Sequence, residues 1–128
     1  MEIQILAISD DAAMLARIRC AMAEHPCRLE TAAGTEVALR WLQGVQPDVI
    51  LLHLAQSDWE GSETVGHLRD VCDAPLVVLG SSASVDARVQ LLRQGADLVL
   101  SSTVGAAELW ARLDAVLRRR SWSWHPEG

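Results

Sequence analysis

Short apolar runs alternate with amphipathic stretches five times along the chain. Ile3-Gln4-Ile5-Leu6-Ala7-Ile8 reads as a strand. Ser9-Asp10-Asp11 then opens a helix that carries Met14, Leu15, Ile18 and Met22 on one face. His25-Pro26 ends it, because a residue before proline is pushed out of the helical region. Cys27 to Ala32 is a weaker strand, and Gly34-Thr35 leads into a helix through Leu42, with Gly44 closing it. Asp48 to Leu54 is the third and most apolar strand. Gly61-Ser62 starts a helix to about Val71, and Pro75 precedes a fourth strand, Leu76-Val77-Val78-Leu79. Ser84 is a good N-cap for a helix through Gln94, stopped by Gly95. Asp97 to Leu100 is the fifth strand and Gly105 to Arg119 the last helix. Ser121 to Gly128, with Trp122, Trp124 and Pro126, reads as an irregular tail.

Strands alternating with helices imply right-handed crossovers and a parallel sheet covered on both faces. Five βα units in one chain of this length fit an α/β fold with the flavodoxin-like strand order 2-1-3-4-5. Sites in such sheets form at the carboxyl ends of the strands, beside strands one and three. Asp10 and His53 both fall there, which makes them site candidates on position alone.

Composition narrows the class. The 128 residues suffice for one domain with a real core. Half are hydrophobic and 22% charged, the balance of a soluble globular protein. No apolar run approaches the roughly 20 residues that span a bilayer, and Met1-Glu2 lacks the basic start of a signal peptide. A cytoplasmic location without membrane contact is the resulting expectation. The net charge of -6 speaks against this domain clamping nucleic acid by itself. Its one basic run, Arg118-Arg119-Arg120, reads as a solvated helix end that suits the helix dipole. Cys20, Cys27 and Cys72 have no metal-ligand spacing. Buried or idle thiols are the plain reading, and a Cys20–Cys27 redox pair is the alternative.

Several stretches stand in a telling order: Pro47-Asp48-Val49-Ile50-Leu51-Leu52, Gly61, Pro75-Leu76-Val77-Val78-Leu79, Gly95-Ala96-Asp97 and Glu108-Leu109. Through them, residues 3 to about 119 resemble a response-regulator receiver domain, a CheY-like (βα)5 unit. The closing helix resembles that of the OmpR/PhoB-type winged-helix transcription factors.

The resemblance implies a phosphorylation site whose chemistry is missing. Receivers use a strand-end aspartate as phosphoryl acceptor, and neighbouring acids hold Mg²⁺, which wants hard oxygen ligands in near-octahedral geometry. The acid pair aligns with Ser9 and Asp10, and Asp11 substitutes only if the register slips by one. The acceptor position holds His53, an imidazole that cannot form an acyl phosphate. The strand-four hydroxyl aligns with Gly80, with Ser81 and Ser82 close but off position. The strand-five lysine aligns with Ser102, the proline after it with Thr103, and the switch aromatic with Val99. After strand three the usual proline is Ser57 and the usual acid Glu60. Four such departures together imply that aspartyl phosphorylation, Mg²⁺ and a phosphodonor kinase are not needed. No cofactor, metal or enzymatic activity is expected.

Three roles compete for His53. It fills space, its ring nitrogens bonded to Asp10 or nearby backbone. It responds to pH, with Asp10 favouring the cation. Or it joins Asp10 and Glu60 around a transition metal, with only one soft ligand present. Trp59, in the loop above strand three, is expected to cap this corner, and Trp41 to lie on the outer side of the second helix.

A second constellation lies on the last two units. By the resemblance, receivers of this type dimerise through helix four, strand five and helix five, using an apolar patch ringed by ion pairs. Val89, Leu92 and Trp110 match the apolar positions. Arg88, Asp97, Glu108, Arg112 and Arg119 match the charged ones, and Leu98 replaces a second acid. Glu108 and Arg112 are also spaced for a simple intrahelical pair. Trp110 stands beside the core-facing stripe of Leu109, Leu113, Val116 and Leu117, which leaves it half exposed, as an interface anchor would be.

The expected function is therefore that of an atypical, phosphorylation-independent receiver (residues 1–120), the regulatory and homodimerising part of a transcription regulator. Residues 121–128 would be a tail or the start of a linker to a DNA-binding domain outside this chain. The alternative is a stand-alone pseudo-receiver that works as a protein-interaction adaptor.

Overall fold

The computed structural model describes residues 2–55, 63–80 and 84–123. Strands and helices alternate as β1 (Ile3–Ile8), α1 (Ala12–Met22), β2 (Cys27–Ala32), α2 (Thr35–Leu42), β3 (Val49–Leu54), α3 (Thr64–Val71), β4 (Leu76–Gly80), α4 (Val85–Gln94), β5 (Leu98–Ser101) and α5 (Ala106–Ser123). The five strands form one parallel sheet in the order β2-β1-β3-β4-β5, as the sequence pattern predicts.

Side-chain alternation divides the core into two layers. Leu6, Ile8, Ile50, Leu52 and Val78 point to one face of the sheet, where Leu42 of α2, Leu68 of α3 and Leu91 of α4 cover them. Ile5, Ala7, Val49, Leu51, Val77 and Leu79 point to the other, beneath Met14 and Ile18 of α1 and Leu109 and Leu113 of α5. Because both faces are covered, β3 and β4 read as near-continuous apolar runs.

The helix ends follow from local chemistry. The Asp11 carboxylate accepts from the N–H groups of Ala13 (2.9 Å) and Met14 (3.4 Å), and Ser84 Oγ accepts from that of Ala87 (3.1 Å). Gly95 closes α4 with φ +125°, a conformation that favours glycine. Gly44 needs no such freedom: α2 ends at Leu42 with Gln43 still right-handed, and Gly44 N–H bonds Trp41 O at 3.2 Å.

One helix end differs from expectation. Helix α5 continues through Ser121-Trp122-Ser123 instead of yielding to an irregular tail at Arg119. Serine and tryptophan are only mildly unfavourable in a helix, and the first strong breaker is Pro126. Gly61-Ser62, expected to start α3, lie outside the described residues, as do Ser57, Trp59, Glu60, Ser81, Ser82 and residues 124–128. Among the described residues no helix is long and apolar enough to cross a membrane.

Candidate functional site

The carboxyl ends of β1 and β3 meet at Ser9 and His53. Parallel pairing of the two strands reaches Ile8 opposite Leu52, so Ser9 and His53 are the next rung. Both fall on the α1/α5 side of the sheet by alternation, and their side chains meet there: Ser9 Oγ lies 2.9 Å from His53 Nδ1. Ser9 is buried and His53 half-buried.

The Ser9 hydroxyl stands among three polar partners. Ser9 Oγ accepts from Asp11 N–H at 3.0 Å. Its own hydrogen has two acceptors in view, His53 Nδ1 at 2.9 Å and Asp11 O at 3.5 Å. The roles in the Ser9–His53 bond follow the ring's tautomer: with the ring proton on Nε2, Nδ1 accepts from the hydroxyl, and with it on Nδ1 the ring donates to Ser9 Oγ, whose hydroxyl then turns to Asp11 O. The hydroxyl thus serves either tautomer of the ring.

Asp10 is not part of this link. It is exposed, on the opposite parity from Ser9, and the expected Asp10–His53 pairing gives way to Ser9–His53. Asp11 is committed to capping α1. At this corner the described side chains are one hydroxyl, one imidazole and the exposed carboxylates of Asp10 and Asp11, the latter engaged through Oδ1 with the start of α1. No cluster of three or more His, Cys, Asp or Glu suited to a metal occurs among the described residues.

The other aligned positions sit where the sequence puts them. Gly80 ends β4, opposite Leu54 and Ser101 in the ladder, and its carbonyl accepts from Ser102 N–H at 2.9 Å. With no side chain it brings no hydroxyl to the corner. Ser102 is half-buried in the turn after β5, where Ser101 Oγ contacts Thr103 Oγ1 at 2.7 Å and accepts from Thr103 N–H. Val99 packs against the α2/α3/α4 core layer.

Two residues of the expected dimer face are tied to other elements of the chain. Asp97 is exposed, yet its carboxylate accepts from Leu76 N–H at 2.8 Å and pairs with Arg69 of α3. The same guanidinium donates to Gly95 O at 2.8 Å and to Ala74 O, so Arg69 ties α3 to the entrances of β4 and β5. Trp110 packs on the α1 side, stacked on His25 with ring centroids 4.1 Å apart and planes 7° from parallel. It is half-buried, as expected, but its stacking partner stands in the turn between α1 and β2. Arg88, Val89, Leu92, Glu108, Arg112 and Arg119 are exposed, and Glu108 and Arg112 form a loose intrahelical pair at 3.5 Å.

The cysteines are free thiols. Cys20 is exposed. Cys72 is buried, facing Gln46 Oε1 at 3.3 Å and the N–H of Ala74 at 3.5 Å. Burial, aided by the charge of Glu2, raises the pKa of Cys27 above its ordinary value. Trp41 is half-buried against the α2 layer.

A five-stranded parallel sheet with its candidate residues at the β1/β3 carboxyl ends is a doubly wound α/β domain. The response regulator receiver domain family matches residues 5–114, and the chain belongs to that family. The transcriptional regulatory protein KdpE of Mycobacterium tuberculosis is 32% identical over 117 residues, which cover 91% of this chain and 52% of the relative. PrrA of Mycobacterium leprae, also a transcriptional regulatory protein, is 36% identical over 118 residues, 91% of this chain and 51% of the relative. The chain thus spans about half the length of these relatives. Among solved structures, a CheY-like receiver domain protein from Methanospirillum hungatei superposes with a TM-score of 0.85 at 20% identity, covering 96% of this chain and 99% of that one. That likeness shows the fold.

Proposed function

We propose that this chain is an atypical, phosphorylation-independent receiver, the regulatory and assembly module of a transcription regulator. The observation that carries the reading is the Ser9–His53 bond. At the corner where the family resemblance puts an acid and a phosphoryl acceptor, a hydroxyl and an imidazole satisfy each other at 2.9 Å. Gly80 and Ser102 deepen the loss, since the glycine brings no hydroxyl and the serine no cation to a bound phosphoryl group. The domain then performs no catalysis of its own, needs no phosphodonor kinase and works in the cytoplasm.

The names of the relatives support the transcriptional setting, and their greater length leaves room for a DNA-binding domain outside the matched segment. What this domain supplies is assembly through the face made by α4, β5 and α5. Its binding-competent state is favoured intrinsically or biased by a partner, since a ligand shifts an equilibrium only by its differential affinity. Intact-mass measurement after incubation with acetyl phosphate and Mg²⁺ tests the chemistry. The expected spectrum is unchanged; a stable phosphoryl adduct would defeat the reading.

A further inference from the structure

We propose that the free edge of β2 pairs antiparallel with β2 of a second copy of this chain, joining the two sheets into one. The contact is independent of the α4–β5–α5 face, which lies at the opposite edge of the sheet and stays open in such a pair.

Strand β2 pairs only with β1, in an unbroken register from Ile3 opposite Cys27 to Ile8 opposite Ala32. The Ala32 carbonyl accepts from Ser9 N–H at 3.1 Å, so it points at β1. By alternation the backbone groups of Arg28 and Glu30 also point at β1. Those of Cys27, Leu29 and Thr31 point out of the sheet. Natural edges are commonly blunted by a proline, a bulge or repelling charges. Strand β2 contains no proline, its ladder with β1 has no bulge, and its two charges are of opposite sign.

The segment Cys27-Arg28-Leu29-Glu30-Thr31 is complementary to itself when reversed. A two-fold axis through Leu29 sets Leu29 opposite Leu29, Arg28 opposite Glu30 and Cys27 opposite Thr31. Leu29 then forms a hydrogen-bonded rung, its N–H and C=O meeting those of the copy. Thr31 N–H meets Cys27 C=O of the copy, while Cys27 N–H keeps its bond to His25 O at 2.8 Å. Arg28 and Glu30 fall on the rungs without hydrogen bonds, where opposed side chains approach most closely. Within one chain these two already pair at 3.5 Å, with side chains 69% and 38% exposed. Sliding the copy by two residues would set Glu30 on Glu30 or Arg28 on Arg28. Sliding it by one would set outward backbone groups against inward ones, so a single register survives.

The charges around the edge fit the same two-fold. On the α1 side the Arg19 guanidinium reaches over Thr31, 3.3 Å from its Oγ1. The axis brings it to the Cys27 end of the copy, where exposed Glu24 stands with Glu2, whose charge acts on Cys27. His25 is at that end too, stacked on Trp110. Arg17 points about 200° around α1 from Arg19, away from this edge. Asp10, exposed after β1, is one strand removed from it. On the α2 side the exposed charges are Glu36 and Arg40, one of each sign. A copy therefore meets opposite charges along this edge, which offers no one-sided surplus to a strongly charged partner.

Sedimentation of the native chain over a concentration series, beside Arg28→Glu and Glu30→Arg, tests the pairing. The native chain should associate. Each single variant should weaken the association by about tenfold or more, because it sets like charges on both rungs. An equimolar mixture of the two variants should recover the association, and so should the two substitutions combined in one chain. A folding defect would show no such rescue. Amide exchange should show Leu29 and Thr31 gaining protection as concentration rises. A native chain that stays monomeric would overturn the proposal and leave the edge to a strand of another protein. An association that both variants leave unchanged and Leu92→Asp removes would overturn it in favour of the α4–β5–α5 face.

Discussion

Ser9 Oγ lies 2.9 Å from His53 Nδ1, closing the gap between the carboxyl ends of β1 and β3 with a direct side-chain bond. The same oxygen accepts from Asp11 N–H, so one buried hydroxyl joins β1, β3 and the start of α1. Ser9→Ala removes both bonds and leaves the Asp11 N–H without that partner. The expected loss is about 1–2 kcal/mol, read as a lower urea midpoint at unchanged slope. Ser9→Thr, which keeps the hydroxyl, should recover most of it. Equal stability of native and Ser9→Ala proteins would show that the bond does not form in solution.

Arg69 and Gly95 form the tie at the other end of the sheet. A Cβ at residue 95 would stand 2.7 Å from Arg69 Cγ, on a residue with φ +125°. The Arg69 stem has little room to yield, because its guanidinium holds Gly95 O, Ala74 O and Asp97. Gly95→Ala is expected to cost about 1–2 kcal/mol from the backbone conformation together with the clash. In the Arg69→Ala background the clash is gone, so the added cost of Gly95→Ala should fall. Additive costs in this double-mutant cycle would argue against the close approach.

Trp110 belongs to the α1–α5 seam, so its substitution reads on stability first. Trp110→Ala should destabilise by about 2 kcal/mol through lost packing and the lost stack on His25. His25→Ala should lose a smaller part of the same energy and blue- or red-shift the emission of Trp110. Leu92, at 46% exposed, is the cleaner probe of the assembly face. An unchanged melting temperature for Trp110→Ala would place that ring elsewhere.

The thiols should separate by reactivity. Folding raises the pKa of Cys27, so the folded state holds that proton more tightly than the unfolded chain does. Its contribution to stability is present below the unfolded thiol's range, near pH 8.5, and is lost as pH rises through the higher folded value. Iodoacetamide at mildly alkaline pH should therefore label exposed Cys20 first and Cys27 later, and reach buried Cys72 only on unfolding. Peptide mass mapping over time gives the order, and early labelling of Cys27 would contradict it.

Much of the fold is legible in the chain because local signals agree with the global one. The apolar run through Leu52, the caps at Asp11 and Ser84, and the stop at Gly95 each specify one element. The site was legible in part. Position picked out His53, but charge alone suggested Asp10 as its partner. The strand parity that carries Ser9 inward and Asp10 outward decided otherwise. Arg69 left no mark, because an arginine on an amphipathic helix looks the same whether it faces water or three acceptors. Those acceptors lie 5, 26 and 28 residues away, joined only by the fold. The pairing of Asp97 with Arg69 and the stacking of Trp110 on His25 were hidden for the same reason.

The central claim is that phosphoryl chemistry no longer governs this receiver, and titration with beryllofluoride and Mg²⁺ tests it most directly. Sedimentation and tryptophan fluorescence should be followed together on the native chain. The expected result is no Mg²⁺-dependent change in emission and no change in assembly at any beryllofluoride concentration. A saturable fluorescence change that requires both Mg²⁺ and beryllofluoride, or dimerisation driven by them, would contradict the account.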